Sequence, residues 1–375
     1  MIRTIGMSEG HSRIHSVGYF VPERRVASET IERDFQFGRF GMPPGSLERI
    51  TGIRERRVSE EEMRPSELAV RACVDALERG HLRAADVDVL IYAAVGRDYM
   101  EPATAHVIQT RLGADEAYVF DVSNACLSMM DGILIGDSLI AMGRARVALV
   151  CGGEPSGEAL RVMESEIDSV KSTEEFRARF AMFTLGEAGA AVVLEAKRKK
   201  TKRETTATRK YGEDHGGGFR NRGTAVSYIP FAEAAAGFVA FEFASRGEHH
   251  ELCTIQSDGK TPMLTDSRRL LREGIGLAAE GIDPILERSG WRRGDIDLVI
   301  PHQVSVGANV ELMSALRLPE HLAHVVVTDF GNTASTTIPV TLALAERAGK
   351  LQAGMKVLLV GVGSGVSVGL ATLIW

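Results

Sequence analysis

Cysteine is scarce in this chain: four in 375 residues, Cys73, Cys126, Cys151 and Cys253, widely and irregularly spaced. There is no CxxC pair and no Cys/His cluster, which excludes a disulfide framework or a bound metal as the organising feature. Positive charge is not in excess either. The formal net charge is -6, whereas a surface built to neutralise phosphates would carry the opposite sign, so nucleic acid is not an expected partner. The opening stretch MIRTIGMSEGHSRIHSV lacks the apolar core of a secretory signal, and the expected compartment is the cytoplasm. One long uncharged run does occur, residues 357–375 (VLLVGVGSGVSVGLATLIW), long enough to span a bilayer. Gly361, Gly363, Gly365 and Gly369 punctuate it, together with Ser364 and Ser367. Two buried strands joined by a glycine turn are therefore expected, and no membrane span.

What is present is an ordinary globular balance, 44% hydrophobic and 25% charged, in a chain long enough for two domains or one duplicated unit. An internal repeat favours duplication. Asp86–Tyr92 (DVDVLIY) introduces a strand, and so does Asp295–Pro301 (DIDLVIP). The first copy continues through FDVSNAC (120–126), an apolar helical stretch at 127–143 and the strand VALVCGG (147–153). The second continues through TDFGNTAS (328–335), a helical stretch at 336–349 and the strand VLLVGVG (357–363). Strands alternating with helices predict βαβ crossovers, a mainly parallel sheet and an α/β fold class. The expected division is 1–195, a charged connector at 196–225, and 226–375. The connector reads as a solvated link, or as a basic contact for an acidic carrier protein or a CoA phosphate. The aromatic, alanine-rich stretch 229–243 reads as core, or as the lining of an acyl tunnel.

Three residues carry candidate chemistry. Cys126 follows a strand and precedes a helix, a placement where the dipole and free N–H groups favour a thiolate. Cys73, Cys151 and Cys253 read as small buried hydrophobes. His302, in PHQ, directly follows the strand 295–300, at the carboxyl end where α/β sites form. Asn332, in GNTAS, is read as the counterpart of Asn124 in the other repeat, also just after a strand. A pseudo-twofold relation brings these strand ends together, and Cys, His and an amide suffice for acyl transfer. Gly365–Gly369 formally matches GxSxG, but it has no room for a following helix or for a downstream Asp and His. The 361–365 glycines do not form GxGxxG, so no dinucleotide cofactor is expected. They suggest instead close backbone approach to a ligand, with N–H groups available as an oxyanion hole.

Taken in order, GYFVPERRV (18–26), ITGIRERRV (50–58), DVSNAC (121–126), LGEAGAAVVLE (185–195), PHQ (301–303), GNTASTTIP (331–339) and GVGSGVSVG (361–369) resemble the ketoacyl-acyl-carrier-protein synthase III group of the thiolase superfamily. The resemblance spans nearly the whole chain. It implies a duplicated five-layer αβαβα thiolase-like fold, a homodimer, and a triad of Cys126, His302 and Asn332. It also implies an oxyanion hole from the backbone amides of Cys126 and Ser364. Acyl-CoA or acyl carrier protein would be the partner, with no other cofactor. There are departures: Glu101 stands where chain-initiating synthases place an aromatic gate. Ser46 and Ile50 replace the Trp and Arg that hold the CoA adenine, and Gly307 replaces an Arg after the His.

RDYMEP (97–102) followed by NACL is similar instead to the head-to-head condensing enzymes of bacterial olefin biosynthesis. The activity this implies is a non-decarboxylative Claisen condensation of two acyl thioesters through acyl-Cys126. Glu101, reaching across the dimer, would be the base for the α-proton, a task suited to a carboxylate. The alternatives are a decarboxylative synthase using a malonyl thioester and an acyltransferase onto an alcohol or amine. A non-catalytic thiolase-fold subunit is disfavoured by the complete triad.

Overall fold

Two five-stranded sheets face each other across a central pair of buried helices. This is a computed structural model, and it describes residues 5–7, 10–155, 157–197, 236–256 and 262–375. One sheet runs in the order Ser12–Phe20, Ala188–Ala196, Val147–Glu154, Val89–Ala93, Tyr118–Val122; the other runs Ile5–Met7, Gly237–Ser245, Ser367–Ile374, Lys356–Gly363, Leu298–Pro301. Between them lie helices Ser128–Ala141 and Thr337–Arg347, whose Ile133 and Leu342 share one core with Ile91 and Val150 of the first sheet and Leu359 and Leu373 of the second. Helices Pro65–Arg79 and Thr104–Leu112 cover the outer face of the first sheet. Helices Ser267–Ser289 and Val306–Ala315 cover that of the second. The result is the expected five layers, αβαβα.

With both faces covered, the inner strands read as continuous apolar runs rather than alternating ones. Val147–Glu154 is buried at every position. The run 357–375 is likewise resolved into antiparallel strands Lys356–Gly363 and Ser367–Ile374. Among the described residues no helix is long and apolar enough to cross a membrane.

Two expectations are corrected. The sheets are mixed, not mainly parallel. Parallel pairing is confined to Val89–Ala93 with its two neighbours and to Leu298–Pro301 with Lys356–Gly363. The remaining strands of both sheets pair antiparallel, because tight turns and long returns rather than helical crossovers join them. Ile5–Met7 belongs to the second sheet, through Gly237–Ser245. Phe238 and Phe241 are fully buried and stack at 4.9 Å in the central core, so the described part of 229–243 is packing. Nearly all of the connector 196–225 lies outside the described residues.

The duplication is regular. Pairing Ala84–Asp86 with Arg293–Asp295 also pairs Val89 with Leu298, Ser128 with Thr337 and Val147 with Lys356 at one constant offset. At that same offset, Ala125 and Ala334 are both left-handed, with φ of 49° and 48°. Asn332 thus corresponds to Ser123, not to Asn124, and Cys126 corresponds to Ser335.

Candidate active site

Cys126 stands on a turn between strand Tyr118–Val122 and helix Ser128–Ala141. A left-handed alanine costs about 1–2 kcal/mol and persists only when its surroundings impose it. Here Asn124 N donates to Ser128 Oγ (2.8 Å), Ser128 Oγ donates to Ala125 O (2.7 Å), and Asn124 Nδ2 donates to Asp131 Oδ2 (2.7 Å). The other half presses on this turn. A Cβ added to Gly363 would lie 3.1 Å from Leu127 N and 3.4 Å from Asn124 O, so any side chain there would crowd the turn by a few tenths of an ångström. Ser364 follows it and hydrogen-bonds to Cys253, whose thiol in turn acts on Cys126.

The thiol is not poised as the sequence suggested. The helix starts at Ser128, beyond Cys126. Burial pushes the Cys126 thiol well up, and Glu154 and Cys253 add to the push. Only its own backbone N–H acts the other way. In the free site Cys126 is a thiol, and something must take its proton.

His302 is the expected acceptor. It leaves strand Leu298–Pro301 with its N–H donating to Val360 O at 2.7 Å. The residue is 9% exposed, and Nδ1 is buried without a hydrogen-bond partner. Burial pulls the imidazole down to about 4. It is therefore neutral near pH 7, able to accept a proton or offer a hydrogen bond.

Asn332 is held by its backbone between Thr184 O (2.8 Å) and Gly186 N (3.0 Å), while its Oδ1 accepts from Ala334 N at 2.9 Å. Its amide NH₂ has no partner among the described residues. The segment before it is a helical turn, Val327–Phe330, and not the expected strand. The reason is Gln303, fully buried beside His302. Its amide donates to His324 O (2.7 Å) and Thr341 Oγ1 (3.3 Å), and its Oε1 accepts from Val326 N (2.8 Å) and Val327 N (3.1 Å). These bonds draw the chain off the sheet edge, leaving a single bridge between Val299 and Ala323. Gln303 thereby links the His302 strand to the Asn332 loop. Its position directly after the histidine was the signal for it.

Glu154 was also missed. It ends strand Val147–Glu154, buried, and binds Ser335 on the Asn332 loop. A lone carboxylate closing an apolar strand was its signature. Cys253, read as inert core, is half-buried next to the site. Cys73 and Cys151 are fully buried, as expected. Among the described residues no cluster could hold a metal ion.

Glu101 does not meet the others within one chain. It is exposed, just ahead of helix Thr104–Leu112, whose first amides donate to Asp121 at 2.8 Å. That carboxylate lies on the edge strand Tyr118–Val122, so Glu101 sits on the open edge of the first sheet. Met100 beside it is 77% exposed, and Tyr118 is 73% exposed.

Known proteins resemble this one along its whole length. Residues 49–210 match the family model of the thiolase N-terminal domain, and residues 286–375 match that of the 3-oxoacyl-[acyl-carrier-protein] synthase III C-terminal domain. The acyl-CoA:acyl-CoA alkyltransferase of Xanthomonas campestris is 28% identical, with 90% of each chain covered. The β-ketoacyl-[acyl-carrier-protein] synthase III of Deinococcus deserti is 29% identical over 96% of this chain and 91% of its own. A crystal structure of Xanthomonas OleA with lauric acid and lauroyl-CoA bound superposes with a TM-score of 0.83 at 25% identity, covering 97% of this chain and 99% of that one. In that structure a cysteine is substituted, and other structures of the same protein carry a substituted glutamate or histidine.

Proposed function

Because the chain belongs to the thiolase superfamily, in its ketoacyl-acyl-carrier-protein synthase III branch, we propose that it is a condensing acyltransferase that joins two acyl thioesters head to head. What supports this reading is the Gly363–Ser364 strand end packed against the Cys126 turn, together with a neutral His302 at the end of its strand and an Asn332 amide without a partner among the described residues. As the first acyl thioester is attacked, the Cys126 proton passes to His302. The backbone N–H groups of Cys126 and Ser364 hold the tetrahedral oxyanion. The carrier thiolate then leaves, taking the proton from His302, and acyl-Cys126 remains.

A second thioester enters, and Glu101 removes its α-proton. His302 and Asn332 hydrogen-bond the enolate oxygen. The enolate carbon attacks the Cys126 thioester, the C–S bond breaks, a β-ketoacyl thioester is released, and the proton that Glu101 took is returned to the Cys126 sulfur. The thioester supplies the activated carbonyl, so the chemistry calls for no resident metal or cofactor. Acyl-CoA is the proposed donor, supported by lauroyl-CoA bound to the Xanthomonas relative. The reaction is placed in the cytoplasm, where such thioesters are found.

Glu101 has this role only if a second copy brings it over. The open edge strand Tyr118–Val122 with exposed Tyr118 and Met100 supports a homodimer through that face, because unpaired edges are otherwise blunted. The runner-up, a decarboxylative synthase using a malonyl thioester, is favoured by one fact: Glu101 is exposed on the sheet edge, and decarboxylation generates the carbanion without a carboxylate base. Purified protein incubated with acyl-CoAs of several lengths, with and without malonyl thioester, tests the choice. β-Ketoacyl product formed from acyl-CoA alone, without CO₂ release, is expected. Product formed only with malonyl thioester would overturn the head-to-head reading.

A further inference from the structure

The segment that carries Glu101 is longer than its counterpart in the other half. Four residues separate strand Leu298–Pro301 from helix Val306–Ala315, whereas ten separate Val89–Ala93 from Thr104–Leu112. Strand-to-helix links usually run about two to six residues, and longer ones are commonly functional. Arg97, Tyr99, Met100, Glu101 and Pro102 are all exposed. Among the described residues the Glu101 carboxylate has no hydrogen bond or ion pair, so its place is set by the backbone that carries it.

That backbone is tied down on both sides of Glu101. Asp98 takes two hydrogen bonds from Ser66, whose amide donates to Oδ1 at 2.9 Å and whose hydroxyl donates to Oδ2 at 2.6 Å. Ser66 is fully buried at the start of helix Pro65–Arg79, where free N–H groups and the helix dipole favour a carboxylate. The Asp98 amide in turn donates to Thr104 Oγ1 at 3.2 Å, which joins the two ends of the stretch 99–103. Thr104 is itself fully buried, and Asp121 accepts its amide at 2.8 Å. Arg64 Nη1 donates to the Tyr99 hydroxyl at 2.7 Å, a further tie from outside. Upstream, the Val95 and Gly96 amides donate to Glu154 at 2.9 and 3.4 Å.

We propose that Asp98 is a positioning residue for Glu101: clamped by Ser66 and Thr104, it fixes the stretch 99–103 so that the Glu101 carboxylate meets the substrate α-carbon in the other copy's site. The inference rests on Glu101 being the base. A carboxylate on a loose ten-residue link would spend little time within reach of an α-proton. A displacement of about 1 Å is enough to cost roughly 10²-fold in rate. Asp98 itself moves no proton, because both of its oxygens are engaged by Ser66.

Asp98→Ala opens the clamp, and three quantities would be followed on the intact protein with acyl-CoA. These are acylation of Cys126, exchange of substrate α-protons with deuterated water, and β-ketoacyl product. Exchange and product should fall by about 10²-fold while acylation stays near the wild-type rate. Asp98→Asn, whose amide keeps both bonds to Ser66, should restore most of the loss. In a Glu101→Gln background, Asp98→Ala should cost nothing further, because the two residues act through one group. Ser66→Ala, which loses the hydroxyl alone, gives a milder form of the same pattern should Asp98→Ala fold poorly. Unchanged exchange, equal damage to acylation and exchange, or a further loss in the Glu101→Gln background would each overturn the role of Asp98 alone and leave it a helix cap. Wild-type exchange in Glu101→Gln itself would overturn the base assignment and this inference with it.

Discussion

In the N-terminal half, strand Val147–Glu154 ends on a carboxylate, whereas its counterpart Lys356–Gly363 ends on a residue with no side chain. Each strand end abuts the left-handed turn of the opposite half, at Ala334 and Ala125 respectively. One contact is filled by the Glu154–Ser335 hydrogen bond. The other is left as bare backbone against the Cys126 turn, at Leu127 and Asn124. The strand ends differ in the same way: His302 occupies the position that Ala93 holds in the first repeat. Duplication thus supplies two equivalent crossings at the midplane, and in the proposed mechanism substitution makes one of them chemical and the other structural. The chemistry belongs to the asymmetry, while the scaffold belongs to the repeat.

This comparison can be broken at several points. Cys126→Ser is near-isosteric and should leave the fold intact, yet reduce condensation by at least about 10⁴-fold, since a hydroxyl here has no comparable nucleophilicity. Mass spectrometry after exposure of the wild type to acyl-CoA should find one acyl group per chain, on Cys126; an adduct on Cys73, Cys151 or Cys253 would refute the assignment. His302→Ala and Asn332→Ala should each slow condensation by roughly 10²–10³-fold, the scale for donors to a developing oxyanion, and slow loading of Cys126 less. Equal damage to both half-reactions would remove them from the enolate step.

Gly363→Ala sharpens the comparison from the other side. The new methyl meets the Leu127 amide at 3.1 Å, the Leu127 Cβ at 3.3 Å and the Asn124 carbonyl at 3.4 Å, and two of the three are backbone atoms that yield poorly. Destabilisation of roughly 1–3 kcal/mol is expected from the crowding. A displaced Cys126 turn should reduce condensation by about 10²-fold. Denaturant titration and turnover rates check both; an alanine variant with wild-type values would mean that the close approach is incidental.

A further effect concerns pH. An unfolded histidine takes up a proton near 6.5, while the folded His302 does so only at about 4. Between these values the unfolded chain binds more protons, so stability falls as pH drops through that window and is fully present above it. The contribution is up to about 3 kcal/mol. His302→Asn should flatten this part of the stability–pH curve; an unchanged slope measured by urea unfolding would place the titration elsewhere.

Much of this was legible in the sequence because it depends on local signals. The repeat, the strand–turn–helix around Cys126, PHQ and the uncharged hairpin at 357–375 are contiguous patterns. Their positions follow from periodicity and glycine placement. What was not legible depends on tertiary contact. The thiol looked activated by a helix end, but its ionisation is governed by burial and by Glu154, which arrives from another strand. Asn332 was paired with the wrong repeat position because a shared residue type was read as register. The matching left-handed alanines, which fix the register, have no sequence signature. The strand expected before Asn332 is a helical turn because Gln303, distant in sequence, captures its amides. Glu101 lies exposed on an open edge, and its proposed role depends on a second copy of the chain.

The central claim is that Cys126 is loaded by one half of the site and that condensation then needs a carboxylate base. Glu101→Gln keeps size and most hydrogen bonding while removing the base. Acylation of Cys126 and formation of β-ketoacyl product would be measured in parallel by mass spectrometry, with acyl-CoA as the sole substrate. The account predicts that the variant acylates Cys126 at near wild-type rate and forms almost no product. A variant that condenses two simple acyl-CoAs as fast as the wild type would contradict it.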